Sequence, residues 1–202
     1  MTNLNLFLEI EKHLLQDENP SIFLKKIKNE ESFKNSSFNI FLQLDKENQI
    51  AKSNPWTHTL NVVDLATKYK DLSSNPRAFM LATFFHEIGK TKTSSSIYPK
   101  ISGEITRRIL REHIKDESLL NEVVALVKHH RAPLFIVNRI SYSIIDLINT
   151  ADIFDVALLS LCSNIENENF KEEEFEKNLL NSNKFLKIMS KKTNLYSYEI
   201  VI

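Results

Sequence analysis

The order of apolar and polar residues predicts helices along nearly the whole chain. Residues 3–16 set Leu4, Phe7, Leu8, Leu14 and Leu15 at helical spacing, and Asn19-Pro20 breaks the pattern. Two short amphipathic runs follow, around Ile22, Phe23 and Ile27 and from Phe33 to Leu44, before the polar DKENQIAKSNP at 45–55 interrupts. That interruption predicts a boundary between an N-terminal helical segment packing on the core, 1–52, and a helical domain with a C-terminal helical extension, 53–202. Pro55 suits the first turn of a helix reaching about Lys70, with Asn54 as its cap. The next begins at Asn75-Pro76 and runs from Arg77 to Ile88 almost without polar residues, which implies burial on most sides, with Gly89 as its stop. Past the Ser- and Thr-rich TKTSSSIYP, helices are expected from about Gly103 to Ile114 and from Leu119 to His130, the second closed by Pro133. The longest apolar stretch, ISYSIIDLINTADIFDVALLSL at 140–161, leads into the acidic ENENFKEEEFEK, which reads as a solvated helix face.

Composition agrees with an all-α chain. Only two glycines and five prolines occur in 202 residues, too few for the tight turns of a many-stranded protein. Lys plus Arg equals Asp plus Glu at 26 each, so no global field holds the chain on nucleic acid or an anionic membrane, and strong nucleic-acid binding is not expected. No run of about 18 apolar residues appears, and the N-terminus lacks a basic leader; no membrane association and a cytoplasmic location are the expectation. Cys162 is the only cysteine, which removes intramolecular disulfides and multi-cysteine zinc sites.

The two glycines, 89 and 103, are too far apart for a Gly-rich phosphate loop, and G-x-S-x-G, H-E-x-x-H and the calcium-loop pattern are absent. Histidine and carboxylate chemistry remains. Of the six histidines, His13 and His113 lie among charged neighbours and are expected to face solvent. His86 and Glu87 end the apolar run that holds Phe79, Met80, Leu81, Phe84 and Phe85, and a buried glutamate costs several kcal/mol unless paired or bound to a metal. Asp152, in the apolar TADIFDVALL, raises the same problem, since an isolated buried aspartate is driven to protonate. A divalent cation shared by His86, Glu87 and Asp152, with His58 from another helix, would satisfy all of them; manganese, iron, cobalt, nickel or magnesium suits such ligands. The plainer alternative is a polar stripe at Asp146, Asn149, Asp152 and Asp155 facing water, with His86-Glu87 hydrogen-bonded at a helix end.

Five segments in order, WTHTLNVVDLA at 56–66, LATFFHEIGKTKT at 81–93, ISGEITRRIL at 101–110, LVKHHRAP at 126–133 and LINTADIFD at 147–155, resemble the HD superfamily of metal-dependent phosphohydrolases, with its pattern of H, HD and D. The run is similar in particular to the HD domain attached to bacterial tRNA nucleotidyltransferases. The resemblance implies a helical bundle of the HD-domain, phosphodiesterase-like type, and metal ligands at His58, His86, Glu87 and Asp152. It implies that Lys90 contacts phosphate and that His130, next to Arg131, lies near substrate or a second metal. The activity it implies is hydrolysis of a small phosphorylated substrate, a nucleotide or related phosphoester, by a metal-activated water. Glu87 or Asp152 would orient that water, and Lys90, His130 or Arg131 would stabilise phosphoryl charge. The chain departs from the pattern twice. Glu87 stands where the family has aspartate, which moves the carboxylate by about 1.5 Å, and no histidine precedes the RRIL-like helix. A mononuclear site, or a catalytically degenerate binding or regulatory module, is therefore expected in place of a binuclear enzyme.

Overall fold

The computed structural model describes residues 3–46, 54–164, 171–193 and 199–202, and among them it is all-α. The helices are α1 (Asn3–Gln16), α2 (Pro20–Ile27), α3 (Glu31–Lys34), α4 (Phe41–Lys46), α5 (Pro55–Ala66), α6 (Pro76–Phe85), α7 (Tyr98–Leu110), α8 (Glu117–His129), α9 (Ala132–Val137), α10 (Ile144–Thr150), α11 (Ile153–Ser163) and α12 (Glu172–Thr193). Short 3-10 turns at Ser37–Ile40, Lys70–Leu72 and Ile88–Thr91 punctuate them.

Asn-Pro pairs set two of the starts that matter for the site. Asn54 accepts the backbone N–H groups of Trp56 and Thr57, and Asn75 accepts that of Ala78, each with proline in the first turn where no donor is needed. α6 is the central element. Its residues from Ala78 to Phe85 are all buried, and it packs against α1, α5, α8 and α11.

The N-terminal helices belong to the same core. The Phe41 ring stacks on Phe84 with centroids 4.3 Å apart, Phe33 and Phe38 join the same aromatic group, and α1 docks on α6 while α2 docks on α5. Each such fully buried ring is worth roughly 2–3 kcal/mol of burial. Glu11 of α1 binds Arg77 of α6 at 2.7 Å, and Asp64 accepts the Ser21 backbone N–H at 2.9 Å. Most of the predicted boundary at 45–55 lies outside the described residues.

Several expectations change. The run from Phe33 to Leu44 is not one helix but α3, a 3-10 turn and α4, because Ser36 caps the turn by accepting the Phe38 N–H. α7 starts at Tyr98, five residues before Gly103, with Pro99 in its first turn. Pro133 opens the short α9 as well as following α8. The apolar 140–161 stretch breaks at Ala151-Asp152 into α10 and α11.

His113 is not a solvent-facing ring: it stacks between Phe7, at 4.9 Å, and Phe38, at 5.6 Å. His13 is half-buried over Phe23 and bonded to Asp17 at 2.7 Å. In both, the imidazole faces serve as apolar surface. No helix among the described residues is long and apolar enough to cross a membrane.

Candidate metal centre

α6 ends at Phe85, and the chain then turns tightly. His86 keeps helical backbone angles as the C-terminal cap, Glu87 leads into the Ile88–Thr91 turn, and both side chains are buried. Gly89 therefore does not stop the helix through a left-handed conformation; its φ is negative. Its role is close approach. A Cβ there would overlap the carbonyl oxygen of Tyr98 and lie 2.6 Å from the Ser102 nitrogen. The contact is stapled from both sides, since Gly89 N–H donates to Ser102 Oγ and Ser102 Oγ–H donates to the His86 carbonyl, each at 2.8 Å.

His58 of α5, His86 and Glu87 converge, and one ligand atom from each lies within 4.8 Å of the other two. The His86 Nδ1 is 2.7 Å from the Thr83 carbonyl, which can only accept, so Nδ1 carries the proton and Nε2 presents a lone pair. That Nε2 is buried and has no hydrogen-bond partner among the described residues. An orphaned imidazole nitrogen beside a second imidazole and a carboxylate is a donor set that fits a divalent cation. Burial holds His86 well below the usual histidine range, the state a metal ligand needs. Burial also opposes ionisation of Glu87, yet Lys90 and the neighbouring imidazoles of His86 and His58 outweigh it and hold its carboxyl below the ordinary glutamate range. Glu87 is ion-paired with Lys90 directly.

The remaining predicted residues divide. Lys90 and Arg131 both approach the Tyr98 ring, at 4.9 and 5.7 Å from its centroid, within cation–π range. His130 sits 5.3 Å from His86 between ring centroids, but its nitrogens are engaged. Nδ1–H donates to the Val127 carbonyl at 2.7 Å, and Nε2 accepts the Tyr98 hydroxyl at 3.2 Å. His130 thus stands behind Tyr98.

Asp152 is not brought to the cluster. It is exposed, and its side chain caps α11 by accepting the Asp155 N–H at 2.9 Å. It neighbours Glu122 and Asp155, which bond Asn75, Ser73 and Ser74 at the start of α6, whereas His86 lies past its end. Ten helical residues put about 15 Å between those ends. The buried aspartate of this stretch is Asp155. Burial raises its carboxyl to about 6, with Asp152 adding to the push and the Ser74 and Ser73 hydroxyls resisting it.

Two features of the site carry no plain signal in the sequence. One is Tyr98, whose position depends on the early start of α7. The other is the far side of a cavity of about 660 Å³ that opens beside His58 and Glu87 and reaches α9, α11 and α12. Among its described lining residues Lys90, Arg131 and Lys177 are cations and Glu87 is the one carboxylate, so a chain of zero net charge gathers positive charge at this cavity.

The family profile described as HD domain matches residues 56–191, 136 of the chain's 202. No match is found among curated proteins. The matched span contains His58, His86 and Glu87 and the bundle from α5 nearly to the end of α12, and by this match the chain belongs to the HD domain family.

Proposed function

We propose that the chain is a metal-dependent phosphohydrolase, a phosphomonoesterase or phosphodiesterase acting on a nucleotide or related phosphoester. The carrying observation is the buried, partnerless Nε2 of His86 within reach of His58 and Glu87. A divalent cation held by these three residues would supply Lewis acidity and acidify water for attack on phosphorus. Three protein ligands leave positions open for water and substrate, as catalytic sites do.

The chain's own groups supply the rest. Lys90 and Arg131, gathered at Tyr98, neutralise charge on the phosphoryl oxygens, and Glu87, kept ionised, accepts a hydrogen bond from the attacking water. Tyr98 fixes the two cations and satisfies His130. The similarity of the segments at 81–93, 101–110 and 126–133 to HD domains attached to tRNA nucleotidyltransferases supports a nucleotide-sized substrate.

A second reading has its own observation: Asp152 is remote and Lys90 competes for Glu87, which favours a degenerate binding module. Metal content after reconstitution with Mn, Fe, Co, Ni or Mg, followed by p-nitrophenyl phosphate hydrolysis, separates the two. The enzyme binds one ion per chain and turns over, and His86→Ala loses both. Activity appearing only in Glu87→Asp would favour the degenerate module; no metal in any preparation would end the catalytic reading.

A further inference from the structure

The cavity has two chemically distinct ends. His58, Glu87, Lys90, Tyr98 and Arg131 form one. The other is a wall in which Ser160, Ser163 and Asn164, at the end of α11, face Asn178, Asn181 and Ser182 of α12. Every one of these side chains is a neutral amide or hydroxyl, able between them to donate and to accept.

Part of this polarity ties the two helices together. Asn164 Nδ2 donates to Ser160 Oγ at 2.9 Å, Asn178 Nδ2 to the Asn164 carbonyl at 2.9 Å, and Ser182 Oγ to the Ala157 carbonyl at 3.1 Å. Two of these bonds use one amide hydrogen each, and the third uses the Ser182 hydroxyl hydrogen. They fix the orientation of the Asn164 and Asn178 side chains along the cavity. The lining is thus placed for a ligand's hydrogen-bonding groups. The volume of about 660 Å³ also exceeds what a phosphoryl group alone would fill, and lies in the range of sites that enclose a whole small molecule.

We infer that the substrate is the phosphomonoester of a polyhydroxylated carbon skeleton, a sugar or polyol phosphate, with its phosphate at Lys90 and Arg131 and its hydroxyls on the α11–α12 wall. This rests on the phosphohydrolase reading and, among the related phosphoesters that reading admits, selects a polyol ester over a nucleotide. The charge pattern matches such a molecule: cations gather at one end, the wall is neutral, and Lys177 stands exposed at the rim. Polyol hydroxyls both donate and accept, as the wall does.

The test compares sorbitol 6-phosphate with n-hexyl phosphate, two primary alkyl esters of equal chain length that differ in hydroxyls, and adds adenosine 5′-monophosphate as the nucleotide arm. The metal-loaded full chain is expected to show a kcat/KM at least tenfold higher for sorbitol 6-phosphate than for n-hexyl phosphate. Asn181→Leu and, separately, Ser163→Ala bring that ratio toward one. Equal values for the two esters would overturn the inference, as would a tenfold preference for adenosine 5′-monophosphate over sorbitol 6-phosphate. Failure to hydrolyse p-nitrophenyl phosphate with every metal removes the phosphohydrolase reading alone. Calorimetric titration of the same two esters into the chain then decides the wall, a tenfold difference in Kd supporting it and equal Kd values overturning it.

Discussion

Asp152→Ala separates the ligand set that the sequence pattern implies from the one the fold assembles. The side chain removed is an exposed N-cap of α11 whose bond to the Asp155 N–H is 2.9 Å long. Loss of such a cap costs about 1 kcal/mol. Against that, the substitution takes a negative charge away from Asp155, whose carboxyl burial and Asp152 together hold up at about 6. The net loss is therefore at most about 1 kcal/mol, a Tm decrease of roughly 2–4 °C for a chain of this size. Metal content is expected to stay at the wild-type value, because the ligand atoms of His58, His86 and Glu87 are untouched. The assay pairs urea unfolding with elemental analysis of reconstituted protein, with His86→Ala as the metal-deficient control. If Asp152→Ala lost metal as completely as His86→Ala, the three-residue site would be wrong.

Tyr98→Phe leaves His130 Nε2 buried without its donor and should cost about 1–3 kcal/mol in urea unfolding with metal content unchanged; loss of metal would show that Tyr98 does more than hold His130. Burial, helped by Lys128 and opposed by Asp146, brings His129 down to about 4, against an ordinary 6.5. The unfolded chain takes up the proton first, so this stability is complete above pH 6.5 and falls as pH drops toward 4, by about 2 kcal/mol at pH 5. His129→Gln should flatten the difference between urea unfolding at pH 7.5 and 5.0 by that amount, and equal pH slopes would refute the assignment. Gly89→Ala should cost about 3 kcal/mol, because the obstructing atoms are backbone of α7 and cannot turn aside; a neutral result would mean that α7 can back away from the turn.

Local chemistry in the sequence pointed to the burial of His86 and Glu87 but left open a hydrogen-bonded helix end, and only the resemblance to HD domains joined them with His58 in one ligand set. Asn54-Pro55 and Asn75-Pro76 fixed the helices that carry His58 and lead to His86, and the apolar run before His86 required that His86 and Glu87 be buried. Asp152 and Asp155 were not distinguishable in that way. They are three residues apart in one apolar stretch, and which of them turns inward depends on where α10 breaks from α11. With the break at Ala151, Asp152 becomes a cap outside the helix and Asp155, one turn in, faces Ser73 and Ser74. The α11–α12 wall was hidden by composition. The acidic first turn of α12 is indeed exposed at Glu172 and Glu173, but Asn178 and Ser182 lie on its buried face, and nothing in their residue types announces a cavity.

Gly89 bears on the departure from the family pattern at Glu87, one of the proposed ligands. With glutamate in place of aspartate the carboxylate reaches about 1.5 Å further from its backbone, so the position of that backbone matters more. The Ile88–Thr91 turn holds it: Ser102 bonds both the His86 carbonyl and the Gly89 N–H, and only a residue without a Cβ lets α7 come close enough to do so. The same approach delivers Tyr98, at the start of α7, to the side of Lys90 and His130. One glycine thus couples the position of Glu87 to the position of the cations that would meet a phosphoryl group. Separating α7 from the turn should disturb metal binding and phosphate binding together, whereas changes at the α11–α12 wall should leave metal content alone.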